Sequence, residues 1–148
     1  MFDSVFTKEE VTLVNLAHIP TGTAFLAELF CALGKCGISV DMISRPTNYS
    51  ADAQLAFTVD DDDLSAVLAV LGRLSERHRD MRCSFSAGNC KISVKDSTMA
   101  DRHFVCGRFF DMLADEGVEV LTVTTDFDEI SILVSGCELE KALHAARR

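Results

Sequence analysis

Six cysteines and four histidines are the side chains of this sequence best suited to nucleophilic, redox or metal chemistry. They are Cys31, Cys36, Cys83, Cys90, Cys106 and Cys137, and His18, His78, His103 and His144. No two cysteines form a CxxC pair or stand at zinc-finger spacing, and no histidine lies in a paired metal motif or a nucleophile motif. Disulfides are expected in secreted chains, and the first ten residues do not resemble a secretory signal. We therefore predict small buried thiols, no catalytic residue, no metal and no cofactor.

Four consecutive carboxylates, Asp60–Asp63, could either hold a cation or begin a helix. They precede an apolar stripe at helical spacing that runs from Leu64 to Leu74. Carboxylates at a helix start accept hydrogen bonds from the first backbone N–H groups and suit the positive end of the helix dipole. A metal site needs ligands that converge from several elements. The position favours capping, with a cation site as the alternative.

The charge balance limits the classes of partner. The formal net charge is −9, which argues against nucleic acid, because phosphates select a basic surface. The one basic cluster, Arg77, His78, Arg79 and Arg82, is interpreted as a solvated connector. No run of about eighteen apolar residues suggests a membrane helix. We expect a cytoplasmic protein without a nucleic-acid or membrane partner.

The chain contains one segment twice, since residues 30–40 recur as residues 110–120. The identities are Phe30/Phe110, Leu33/Leu113 and Gly37/Gly117, and the β-branched matches are Ile38/Val118, Val40/Val120 and Ile43/Val123. An internal repeat predicts two copies of one small unit. A chain of 148 residues is long enough for two such units.

The first copy has the pattern of strand, helix, two strands, helix and strand. Its predicted elements are strand 11–16, a helix from Thr23 to about Gly37, strands 38–44 and 55–59 joined by turn 46–52, helix 64–74 and strand 81–85. The second copy repeats this order but reaches the last residue before a fourth strand. Its predicted elements are strand 90–94, helix 105–113, strands 118–123 and 130–134, and helix 138–146. Because Phe2–Phe6 alternates and is otherwise unassigned, we predict that it completes the second copy, giving domains 9–87 and 1–8 plus 88–148.

This order of elements resembles the ACT domain, and the tandem resembles the regulatory region of aspartokinases. The resemblance is carried by Gly37–Ile43, by Lys91–Val94 leading to Met99, by Phe109–Gly117 and by Ile130–Val134. It implies an α+β fold of two ferredoxin-like βαββαβ repeats. Each would have a four-stranded antiparallel sheet with its helices on one face, and the first repeat would be inserted into the second. No Gly-rich phosphate loop is present, so the chain resembles a non-catalytic regulatory module, either free-standing or a fragment.

The resemblance also implies two effector sites. In each copy, the turn before the first helix would offer backbone N–H groups to an amino-acid carboxylate. By carry-over, one site would combine His18, Ile19 and Gly22 with Glu119 and Val120. The other would combine Thr98 and Met99 with Ser39 and Val40. Two further ligand contacts of the family fall at Arg45 and Gln54.

Several of these positions differ from the family. Arg45 stands where a Gln is common, Gln54 where an acidic residue is common, and Glu119 where an Asn is common. Structural roles alone would also explain some of them: His18 as an exposed loop residue, Arg45 as the partner of a surface acid, and Met99 as a filler of the core.

Two functions follow from the resemblance. In the first, the module senses an amino acid such as lysine or threonine and modulates a partner or its own assembly. In the second, it is an ACT-fold dimerisation or interaction module that has lost effector binding. Both predict a homodimer, because the sheet leaves an edge and an open face. A separate kinase or another biosynthetic enzyme is the further partner that the resemblance implies.

Overall fold

The structure is a computed structural model that describes residues 2–46, 53–99 and 103–148. Residues 47–52, in the predicted turn 46–52, and residues 100–102, before the predicted helix 105–113, lie outside the described residues. The chain divides into two compact units: unit 1 is Met1–Glu10 with Gly88–Arg148, and unit 2 is Val11–Ala87.

The described residues form an α+β fold of six strands and four helices. In chain order these are β1 Ser4–Ile19, α1 Thr23–Lys35, β2 Ile43–Ser44, β3 Ala53–Asp60, α2 Leu64–Arg77, β4 Arg82–Lys95, α3 Val105–Asp115, β5 Thr122–Thr125, β6 Glu129–Ser135 and α4 Leu139–Ala146. The hydrogen-bonded strand order is β2-β3-β1-β4-β6-β5. The pairing is antiparallel in β1–β3, where Val11 lies opposite Asp60, and in β4–β6, where Asn89 lies opposite Ser135.

Two long strands, β1 and β4, run through the boundary between the units. The sequence predicted two separate strands in each place, and that prediction is wrong. Charged residues before Val11 and small residues before Asn89 interrupt the apolar alternation, but the strands continue through them. At each boundary one residue takes a left-handed conformation, Glu10 with φ 59° and Gly88 with φ 72°. Such a residue can redirect an extended chain without ending it.

The second strand of each copy is also shorter than predicted. Backbone pairing begins before the regular ladder: Asp41 N–H donates to Thr58 O at 3.1 Å in unit 2, and Leu121 N–H donates to Leu133 O at 2.8 Å in unit 1. The apolar alternation over 38–44 and 118–123 therefore marks extended chain, of which only the last part is assigned as strand.

Each unit has its own apolar core. In unit 2, Leu29 and Leu33 of α1 and Leu74 of α2 are buried against Phe57 of β3. In unit 1, Phe109 and Leu113 of α3 are buried with Ile132 of β6. These helix positions follow the 3.6-residue period, so in each unit the helices present an apolar face to the strands.

The acidic run adopts a different structure from the predicted side-chain caps. Asp61–Asp63 form a short 3₁₀ turn before α2, and neither Asp60 nor Asp63 makes a side-chain capping hydrogen bond. Instead, the Asp61 carboxylate accepts a hydrogen bond from the Thr12 hydroxyl at 2.6 Å. The carboxylates still lie at the positive end of the α2 dipole. Across the described parts of the chain, no group of three or more metal-ligating side chains converges.

The six cysteines all lie in described positions and are free thiols. Only Cys90 is buried, so the expectation of buried thiols is wrong for the other five. They lie at exposed positions of helices, strands and turns, where no core needs filling. Among the described residues, no helix is both long enough and apolar enough to span a bilayer.

Candidate functional site

The turn between β1 and α1 in unit 2 is shaped by backbone conformation. His18 has φ 56°, and the β1–β3 register shifts between Ala17 and Ile19. A positive φ is uncommon for a residue other than glycine, and here it coincides with the register shift just before the strand ends at Ile19. Ile19 is buried in the core, His18 is exposed, and Gly22 caps α1 with no side-chain hydrogen bond. The turn therefore exposes an imidazole and leads directly into a helix start.

Arg45 and Gln54 lie at the same end of unit 2 as this turn. The Arg45 guanidinium donates a hydrogen bond to the Thr21 carbonyl, so this side chain is tied to the turn. Gln54 stands opposite Ala17 in the strand register and is exposed. The structure thus brings together five of the predicted residues: His18, Ile19, Gly22, Arg45 and Gln54.

A cleft of about 340 Å³ opens beside His18, Ile19 and Pro20. Its other wall is residues 77–80, at the C-terminal end of α2. Arg77, His78 and Arg79 of this wall belong to the basic cluster that the sequence interpreted as a solvated connector. Arg77 is exposed, whereas His78 is partly buried.

Two side chains of this wall, Arg77 and His78, are held by a carboxylate of α1. Glu28 accepts hydrogen bonds from Arg77, whose Nε lies 2.8 Å from Oε1, and from His78, whose Nε2 lies 3.1 Å from Oε2. The Arg77 hydrogen bond, followed by that of His78, holds the pKa of Glu28 below its usual value. The His78 ring also packs edge-on against Phe25, with centroids 5.1 Å apart. The cluster is therefore an ordered part of unit 2.

Replacing Glu28 by glutamine is expected to reduce stability in a pH-dependent way. A carboxyl whose pKa is lowered by folding stabilises the protein above its unfolded pKa, here about 4.5, and loses that contribution as the pH falls through the lowered value. At pH 7 the variant should be less stable by under about 1 kcal/mol, the range of partly exposed ion pairs. Urea unfolding of both proteins at several pH values measures the difference. A difference that stays constant from neutral pH to pH 3 would contradict this account.

Ser39 and Val40 lie apart from these five residues. The chain just after them pairs with Thr58, near the Asp60 end of β3, whereas Gln54 lies near the other end of that strand. Ser39 is exposed, and Val40 packs partly buried against the core of unit 2.

In unit 1, the four remaining predicted residues also fall into two places. Thr98 donates its backbone N–H and its hydroxyl to Asp96 Oδ1 at 2.9 and 2.7 Å, which closes a tight turn after β4. Met99 is 8% exposed and contributes to the core. Glu119 is exposed, and its backbone N–H donates to Glu138 Oε2 at 3.1 Å, while Val120 packs partly buried on the core.

The known proteins that are similar in sequence to this chain include several aspartokinases. No protein-family model matches the chain. An aspartokinase of Geobacillus stearothermophilus is 30% identical over 127 residues, which cover 86% of this chain and 30% of the relative. An aspartokinase of Bacillus sp. (strain MGA3) is 27% identical over 138 residues, which cover 93% of this chain and 34% of the relative. The chain thus spans about a third of the length of these curated relatives.

A solved structure matches the whole chain. The ligand-free regulatory subunit of aspartate kinase from Thermus thermophilus superposes with a TM-score of 0.90 at 25% identity. The match covers 99% of this chain and 96% of that chain.

Proposed function

Because the homologues of this chain are aspartokinases and its structural counterparts are regulatory subunits of aspartate kinase, we propose that it is a regulatory module that binds an amino acid. The observation that carries the proposal is the match to an isolated regulatory subunit over nearly the full length of both chains. We propose further that the two units are ACT repeats, with the bounds 9–87 and 1–8 plus 88–148, and that the module works in the cytoplasm.

The cleft beside His18 is the proposed place for the amino-acid carboxylate. Arg79 can supply positive charge and His18 a hydrogen bond, and Gly22, at the start of α1, makes no side-chain capping hydrogen bond. Charge-assisted hydrogen bonds of this kind are short and strong. Asp80, which also lines the cleft, can receive the ammonium group. Threonine suits this wall better than lysine, because its side chain is neutral, whereas the lysine side chain would bring a second ammonium group to a basic surface.

A thermal-shift screen with the twenty amino acids tests the proposal. A ligand that binds only the folded state, at about ten times its Kd, should raise the melting temperature by about 3–6 °C. His18→Asn and Arg79→Ala should each reduce the shift by at least half. Asparagine is the matched choice at His18 because it tolerates a positive φ. Arg73→Ala, on the exposed surface of α2, serves as the control.

The remaining predicted contacts, Ser39, Val40, Arg45, Gln54, Thr98, Met99, Glu119 and Val120, are tested in the same way. Glu119→Ala comes first, because its side chain is exposed. If no amino acid shifts the melting temperature at about 10 mM, ligand binding is refuted and the module acts through association alone. We also propose that the module forms a homodimer, and light scattering of the same samples measures its molar mass. A kinase or another biosynthetic enzyme is the further partner that we propose.

A further inference from the structure

Unit 1 contains a second cleft, of about 290 Å³, that shares no residue with the predicted effector contacts. Its apolar walls come from Phe2, from Phe104, Val105 and Met112 on and before α3, and from Ala146 of α4. Arg108 of α3 and Arg148 also line it. Small-molecule sites typically combine apolar walls with a few polar groups, and this cleft has that composition.

The helices α2 of unit 2 and α4 of unit 1, which are equivalent in the repeat, differ in length. α2 and α4 both follow a three-residue 3₁₀ turn, and they begin at the equivalent residues Leu64 and Leu139. α2 extends for 14 residues, whereas α4 extends for 8. In unit 2 the last turns of α2 place Leu74, which is 1% exposed, in the core and bring His78 onto Phe25.

In unit 1, the described residues leave a cleft at the matching surface. The repeat aligns Gly37 with Gly117, both with positive φ, and therefore Phe25 with Val105 and Glu28 with Arg108. Val105 and Arg108 line the cleft. The cleft therefore lies where the last turns of α2 lie in unit 2.

The charge at this position is reversed between the units. In unit 2, Glu28 is a carboxylate that forms an ion pair with Arg77 and a hydrogen bond with His78. In unit 1, Arg108 is a cation, and within residues 2–46, 53–99 and 103–148 no ion pair to its guanidinium is found. Arg148 is already directed to Asp115 and Glu116, at 3.6 and 3.7 Å. His103 also lines the cleft, and Arg108 is the guanidinium there that is suited to pair with an anionic ligand.

We propose that this cleft binds a small carboxylate with a branched aliphatic or aromatic side chain, independently of the effector cleft in unit 2. The apolar part of this ligand occupies the position that Leu74 and the His78 ring occupy in unit 2. The carboxylate pairs with Arg108, as Glu28 pairs with Arg77. Asp96 also lines the cleft, but it accepts two hydrogen bonds from Thr98. Its carboxylate therefore stabilises the turn after β4 and is given no role in ligand binding.

Methyl NMR of the full chain tests the proposal with three probes that share one carbon skeleton: 4-methylpentanoate, leucine and 4-methylpentan-1-ol. The methyl resonance of Met112 should shift on addition of 4-methylpentanoate, with a Kd on the order of 0.1–1 mM for a ligand of this size. Met42, buried in unit 2, is the internal control and should not shift. The alcohol should bind at least tenfold more weakly, since it cannot form the charged pair. Leucine distinguishes an amino acid from a simple acid as the natural class.

Variants separate the charge from the shape of the cleft. Arg108→Leu should weaken 4-methylpentanoate binding at least tenfold, whereas Arg73→Leu, on exposed α2, should not change it. Val105→Phe, which restores the residue found at Phe25, should fill the cleft and abolish the Met112 shift. If Arg108→Leu does not fold, the affinities of the unaltered chain for 4-methylpentanoate and 4-methylpentan-1-ol still test the role of the charge. No Met112 shift at about 20 mM, or equal affinity for acid and alcohol, overturns the proposal.

Discussion

Replacing Phe109 by alanine is expected to lower the free energy of unfolding by about 3–5 kcal/mol, the usual effect of removing a fully buried aromatic ring. Phe109 is 0% exposed on the inner face of α3. Its ring meets Phe2 edge-on at a centroid distance of 5.3 Å and lies 5.9 Å from Phe110. The substitution removes both ring contacts and leaves a cavity between the helix and the strands. It should therefore affect the N-terminal segment as well as α3.

Urea unfolding followed by far-UV circular dichroism measures this effect, since the chain has no tryptophan and one tyrosine for fluorescence. Phe127→Ala is the matched control, because Phe127 belongs to the same unit and is 75% exposed. Its loss should change stability by less than about 0.5 kcal/mol. Equal effects of the two substitutions would show that Phe109 is not part of a close-packed core.

The positions of the helices and of most core residues were predictable from the sequence, because buried residues recur with the helical period and the spacing of apolar residues reveals it. Phe25, Leu29 and Leu33 recur at helical spacing, and all three are buried on α1. The same period on α3 marks Phe109 and Leu113. These positions need only a local pattern, and the structure agrees with it.

The continuity of β1 and β4 was not predictable in this way. Glu10 and Gly88 redirect the strands through backbone conformation, which leaves no apolar pattern to detect. The wall of the candidate cleft was missed for a related reason. Arg77 and His78 appear in the sequence as a surface charge cluster, and their role depends on Glu28, which is distant in the chain.

Gly136 is a further position at which the repeat and the structure disagree in an informative way. It begins the 3₁₀ turn before α4, where unit 2 has Asp61. A Cβ at Gly136 would lie 2.5 Å from the carbonyl oxygen of Gly88. The aspartates of the first copy therefore have no full counterpart in the second, because the backbone of β4 lies too close for a side chain.

Replacing Gly136 by alanine is consequently expected to destabilise the protein by at least about 2 kcal/mol, within the range for inserting atoms into a packed site. The clash is with backbone, which cannot move aside as a flexible side chain could, so either β4 or the turn before α4 must shift. Gly107→Ala on α3 is the control, since a Cβ there meets nothing within 4 Å. That change should leave stability unaltered or raise it by up to about 1 kcal/mol, because alanine favours helix. Urea unfolding of the two variants should therefore give effects of different size, and a fully stable Gly136→Ala protein would show that β4 and this turn are further apart than 2.5 Å implies.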